Sequence, residues 1–193
     1  MLGLKMATDP RWVNLAEKSI EEILVDHAYC EQKAASTCIS LIVLYPENER
    51  LVKELTPIVS EEWAHFRMVL KELEKRGYSL GRMRRDEYVS ELAKCTRKGG
   101  SREDQLAEKL LMAGLIEARS CERFRLLSEN IEDDDLKNFY RDLMISEAGH
   151  YRLFLDLARD VWSAEKVKNR FNELLLQESV VLSNLQLRGD RIH

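Results

Sequence analysis

Glu147-Ala148-Gly149-His150 is the stretch that decides how this chain reads. A carboxylate and an imidazole three residues apart on a helix lie on one face, one turn apart, so both can reach one metal ion. The spacing recurs at Glu62-Trp63-Ala64-His65. Each copy follows a lone glutamate in an apolar helical stretch: Glu31 stands 31 residues before Glu62, and Glu117 stands 30 before Glu147. A four-helix bundle that binds two metal ions needs one carboxylate from each of two helices and a Glu-x-x-His pair from each of the other two, all pointing inward. The half-repeats Glu31/Glu62/His65 and Glu117/Glu147/His150 supply that set. Four inward carboxylates with no cation would repel one another, and each would carry a heavy desolvation cost. Two divalent metals remove the conflict. By the half-repeat, Glu62 and Glu147 are expected to bridge the metals, with Glu31 and Glu117 as terminal ligands.

Composition agrees with a helical bundle. With 3 prolines, 8 glycines and 7% aromatics, the chain is poor in breakers and in strand formers, so the expected class is all-α. Its 193 residues suffice for one domain with a sizeable core, and a single domain over residues 1–193 is expected. The net charge of −4 gives no general reason to expect a nucleic-acid binder, so any such surface must be local. Cys30, Cys38, Cys95 and Cys121 contain no C-x-x-C pair, no secretory signal is visible, and no apolar run is long enough to cross a bilayer. The expected setting is reducing and cytoplasmic, away from membranes.

Asp9-Pro10 opens the first helix, which carries Glu31 amid small residues and runs to Tyr45-Pro46, with a break near Lys18-Ser19 left open. His27, one turn before Glu31, could support that ligand or be simply a packed histidine, and the packed reading is favoured. Pro46 opens the next helical segment, in which Thr56-Pro57 is a second start or a kink, and Arg76-Gly77 closes it. Glu61 is about 100° around the helix from Glu62 and is the weaker ligand. From Tyr78 to Gly100 a long crossover with one short amphipathic piece links the second and third bundle helices. Between Arg82 and Arg102 it holds seven basic residues against three acidic ones. Arg82, Arg84, Arg85, Lys94, Arg97 and Lys98 are therefore the candidate phosphate contacts. Ser101 with Asp104 restarts a helix to about Asn130, in which Gly114 suggests close approach of something to the backbone. Asp133-Asp134-Asp135 caps the fourth bundle helix, and an additional C-terminal helix spans roughly Ala164 to Asn184. Glu178 on it is a possible extra ligand, expected instead at the surface or in support of the ligands.

Carboxylate and imidazole ligands with open positions suit iron and also manganese, and the ligand set alone does not choose between them. The runs Asp26-His27-Ala28-Tyr29-Cys30-Glu31-Gln32-Lys33-Ala34-Ala35, Glu61-Glu62-Trp63-Ala64-His65-Phe66, Arg76-Gly77-Tyr78-Ser79-Leu80-Gly81-Arg82, Ile116-Glu117-Ala118-Arg119-Ser120-Cys121-Glu122-Arg123-Phe124 and Ser146-Glu147-Ala148-Gly149-His150 resemble the bacterial tRNA 2-methylthio-N6-isopentenyladenosine hydroxylases, a ferritin-like di-iron family. The resemblance covers nearly the whole chain. It implies a ferritin-like four-helix bundle with two Fe ions, O2 as co-substrate, and electrons from an external donor, a reductase or a ferredoxin-type protein. It also implies hydroxylation of the isopentenyl group on the modified adenosine of a tRNA anticodon loop. The alternative is a ferritin-like iron-storage or peroxide-scavenging protein that uses the same ligands without an organic substrate.

Overall fold

The structure, a computed structural model, describes residues 2–193. Among them are seven α-helices, one 3-10 turn and no strand, which is the all-α class expected. They fall into two compact units. The first comprises Arg11–Arg85 with Arg188–Ile192; the second comprises the chain up to Pro10, Asp86–Leu187 and His193.

In the first unit, α1 (Arg11–Glu17) and α2 (Ile20–Leu44) are separate helices, so the break at Lys18-Ser19 is real. α3 spans Glu49–Lys75. It starts three residues later than Pro46 suggests, because Asn48 is the cap: its side chain accepts the Leu51 N–H at 3.0 Å. Pro57 lies inside α3 and does not end it. α2 and α3 form an antiparallel hairpin with Ile23, Leu24, Ala28, Leu41, Leu51, Leu55, Val69 and Leu73 buried between and beneath them. The segment Arg188–Ile192 is strapped to this hairpin. The Trp12 indole donates to the Arg191 carbonyl at 3.2 Å, and Asp26 accepts the Ile192 N–H at 2.8 Å. Gly189 passes so close to the Leu15 backbone that a Cβ there would sit 2.2 Å from its carbonyl carbon.

In the second unit, α4 (Glu87–Leu92) and a 3-10 turn (Ala93–Cys95) form the ordered part of the crossover. They precede α5 (Arg102–Asn130), α6 (Asp134–Val161) and α7 (Ala164–Asn184). Ser101 and Asp104 make the expected capping box, and Asp133 caps α6 through the Leu136 N–H. α5 is the most buried helix, packed along α6 and touched by α7. What comes close to Gly114 is α6: a Cβ on Gly114 would meet Phe154, Tyr151 and Leu155 at 3.5–3.8 Å, an ordinary contact distance. None of the helices among the described residues is long and apolar enough to cross a membrane.

Candidate metal centre

The helix register alone brings the first triad together. Glu31 projects from the middle of α2, Glu62 and His65 from the facing side of α3, and all three are buried. His65 Nδ1 lies 3.5 Å from a Glu62 oxygen and 3.6 Å from a Glu31 oxygen. His27, read from sequence as a packed histidine, instead places its Nε2 2.6 Å from the other Glu31 oxygen. Burial alone would push the Glu31 carboxyl up, but the His27 and His65 imidazoles outweigh it and hold it well below the usual carboxylate range. Burial likewise works against a charged His65, yet Glu31 and Glu62 raise its pKa to about 10. Two carboxylates facing one imidazole favour its charged form, and the same carboxylate oxygens are suited to a divalent cation. Glu61 is largely outside this cluster, with a half-exposed side chain 4.0 Å from His65 Nε2.

The second triad repeats the layout on α5 and α6. Glu117, Glu147 and His150 are each at least 93% buried, with His150 Nδ1 4.0 Å from Glu147. The position matching His27, four residues before Glu117, is Ala113. Other buried carboxylates of this unit are matched by arginine. Glu108 accepts from Arg170 at 2.6 and 2.8 Å, and Glu122 pairs with Arg119. Glu178 accepts from Arg119 at 2.7 and 2.9 Å and from the Tyr88 hydroxyl at 3.1 Å. Glu178 is fully buried, which corrects the surface half of the expectation, and it pairs with Arg119, two residues from Glu117. Arg119 also donates to the Met6 carbonyl and Thr8, so this network ties α5, α7, α4 and the chain before Pro10 together two residues from Glu117. An arginine beside the apolar run 110–116, with a glutamate three residues on, was the available sign of it. The donor set of each triad, two carboxylates and an imidazole with no water-exposed member, fits a hard to borderline divalent ion such as iron.

The candidate phosphate contacts divide into two kinds. Arg84 donates to Asp190 at 2.9 Å and to the Glu22 carbonyl at 2.7 Å, holding the Arg188–Ile192 strap. Lys94 pairs with Glu91, and Arg97 with Glu173 at 2.5 Å. Arg82, Arg85 and Lys98 are exposed and form no ion pair among the described residues.

The family model described as tRNA-(MS[2]IO[6]A)-hydroxylase (MiaE) matches residues 2–193. A tRNA 2-(methylsulfanyl)-N(6)-isopentenyladenosine(37) hydroxylase of Pseudomonas putida is 37% identical over 153 residues, 79% of this chain and 73% of that protein. The protein of the same name from Salmonella typhimurium is 26% identical, covering 86% of this chain and 78% of its own length. A solved structure described as Protein 43 with aldehyde deformylating oxygenase activity, from Synechococcus, matches with a TM-score of 0.92 at 35% identity, over 98% of this chain and 94% of that one. The fold is accordingly the ferritin-like four-helix bundle with a long crossover and an additional C-terminal helix, and the chain belongs to the tRNA-(MS[2]IO[6]A)-hydroxylase (MiaE) family.

Proposed function

We propose that this protein is an O2-dependent di-iron hydroxylase of the cytoplasm, acting on the isopentenyl group of 2-methylthio-N6-isopentenyladenosine beside the tRNA anticodon. The observation that carries the reading is the duplicated triad of buried carboxylates and imidazole, in a chain that its family model spans from residue 2 to the end. Family membership weighs against the iron-storage alternative.

In this reading residues 1–193 work as one di-iron domain. Glu31, Glu62 and His65 would hold one iron, and Glu117, Glu147 and His150 the other. When bound and reduced by an external donor, a reductase or a ferredoxin-type protein, such an iron pair supplies the electrons that let O2 attack an unactivated carbon–hydrogen bond. The chain's own contribution is placement. His27 holds Glu31 by one oxygen and leaves the other facing His65. Burial of all six side chains keeps water from them, and the exposed crossover cations Arg82, Arg85 and Lys98 meet phosphates of the incoming RNA.

Nucleoside analysis of tRNA from cells with and without the gene tests the reading. The hydroxylated isopentenyl nucleoside should vanish when the gene is deleted and return with wild-type protein but not with Glu62→Ala. Its persistence in the deletion strain, in the absence of a second such enzyme, would refute the assignment.

A further inference from the structure

α3 has a second face that the metal site does not use. At about 100° per residue, an arc of roughly 120° starting at Trp63 collects Lys53, Arg67, Lys71 and Lys75, all exposed, against two carboxylates, Glu74 and, at the far N-terminal end of the helix, Glu49. Lys53, Arg67 and Lys71 form no ion pair among the described residues. Trp63, 46% exposed, stands at the margin of the arc, a hundred degrees around from Glu62, with its ring braced on Phe66 at 4.8 Å. The half-repeat shows that the metal ligands do not demand this. Counting from Glu147 as from Glu62, the places of Trp63, Arg67, Lys71 and Lys75 are taken on α6 by Ala148, Arg152, Asp156 and Asp160. The aromatic is absent there and two of three cations are reversed in sign.

We propose that this face of α3 is an RNA-docking surface, on which Arg67 and Lys71 take successive phosphates of the anticodon loop and Trp63 stacks an unpaired base next to the reacting adenosine. The proposal rests on the tRNA hydroxylase reading and adds the surface that holds the substrate. Single-stranded RNA is recognised by unstacked bases on aromatic rings beside backbone-tracking cations, and side chains one turn apart on a helix, about 6 Å, provide such a cationic track. A protein partner would need an apolar centre to the patch, and apart from Trp63 only Met68 is a large exposed apolar side chain on α3. The Tyr29 hydroxyl donates to the Gly81 carbonyl at 2.8 Å, which holds the neighbourhood of Arg82 against α2 two residues from Glu31.

The test is equilibrium binding of whole tRNA from cells lacking the gene, titrated with salt, to the iron-loaded protein and its variants. Trp63→Ala should weaken binding about ten-fold, with most of the loss restored by Trp63→Phe. Arg67→Glu with Lys71→Glu should lower the log–log salt slope by about 0.7 to 0.9 for each lost contact. Arg152→Glu, the equivalent change on α6, should do neither. Variants that bind tRNA as wild type does, while wild type itself binds with a clear salt slope, would overturn the docking surface and leave the hydroxylase reading standing. Normal tRNA binding with impaired reduction of the irons by a ferredoxin-type protein would overturn it in favour of a protein partner. Salt-dependent binding of tRNA through α3 by a protein that never hydroxylates it would sustain the surface and sink the assigned reaction.

Discussion

The hairpin α2–α3 and the hairpin α5–α6 each bury two glutamates and a histidine at nearly the same spacing, yet they hold them by different means. In the first, the lone glutamate is held electrostatically: His27 bonds Glu31 at 2.6 Å and His65 faces its other oxygen. In the second, Ala113 stands where His27 would be, and Glu117 is fixed by packing in a helix whose neighbours Arg119, Glu122 and Arg123 are almost fully buried. Arg123 is pushed down to about 10 by burial and by Arg119 beside it, a measure of how much charge that helix encloses. The difference separates two jobs that one motif conceals. Binding a metal needs the ligand spacing, which both hairpins share. Setting the orientation and charge of each ligand needs its surroundings, which diverge.

The largest effects should come from breaking what the hairpins share. Glu117→Ala is expected to abolish hydroxylation and lower iron below two per chain, with the helical circular dichroism retained, since losing one buried carboxylate relieves repulsion in the metal-free protein. Full activity in that variant would remove Glu117 from the ligand set. Next comes the support peculiar to the second hairpin. Arg119→Met leaves Glu178 and Glu122 buried without their cation and should cost about 3–5 kcal/mol in urea unfolding. Adding Glu178→Leu should recover part of that loss, and strictly additive costs would show that the two side chains are not coupled.

The sequence announced the shared part and hid the divergent part for a physical reason. Spacing is local, so the pairs Glu62/His65 and Glu147/His150 and the caps at Ser101 and Asp133 could be read from neighbours within a turn, while Glu31 and Glu117 were found through the repeat of about 30 residues. Support is mostly non-local. Glu178 lies 59 residues from the Arg119 it neutralises, and nothing near Arg84 betrays that Asp190 is its partner. Gly189 looks like a loop glycine until the Leu15 backbone is seen against it. His27 was the local exception: its i,i+4 relation to Glu31 was visible, but a packed histidine fits the same pattern.

His27→Ala should sharpen the contrast, weakening iron binding or turnover about 10- to 100-fold by freeing Glu31 to rotate. Ala113→Ser at the equivalent place should change little, and equal effects at both positions would erase the distinction between the hairpins. A smaller signature lies in the pH dependence of the metal-free protein. His65, raised to about 10, contributes stability that is complete below its ordinary value of 6.5 and is lost as pH climbs toward 10. Glu31, held low, contributes stability present above the ordinary 4.5 and lost on acidification. The melting temperature without metal should therefore peak between about pH 4.5 and 6.5 and fall on the alkaline side, whereas iron binding, which needs deprotonated ligands, strengthens there. A flat alkaline limb would show that His65 is neutral beside its carboxylates.

The weakest effect, and the one that divides the crossover, concerns the six cations between Arg82 and Lys98. Those already neutralised within the protein have little charge to offer RNA, so Arg84→Glu should act on the fold: it sets a carboxylate against Asp190 and loosens the strap that Asp26 and Trp12 also hold. Its measurable result is a lower unfolding midpoint. Arg82→Glu, Arg85→Glu and Lys98→Glu break no internal pair, so the midpoint should stay within about 0.5 kcal/mol of wild type. Instead each should lower the log–log salt slope of tRNA binding by about 0.7 to 0.9 if it meets a phosphate. The comparison is decided by taking both readings on all four variants. A triple variant of Arg82, Arg85 and Lys98 with the wild-type slope would mean that the crossover is a solvated connection and that the RNA is held elsewhere. A normal midpoint for Arg84→Glu would mean that the strap is secured without its arginine, and would return Arg84 to the residues available for phosphate.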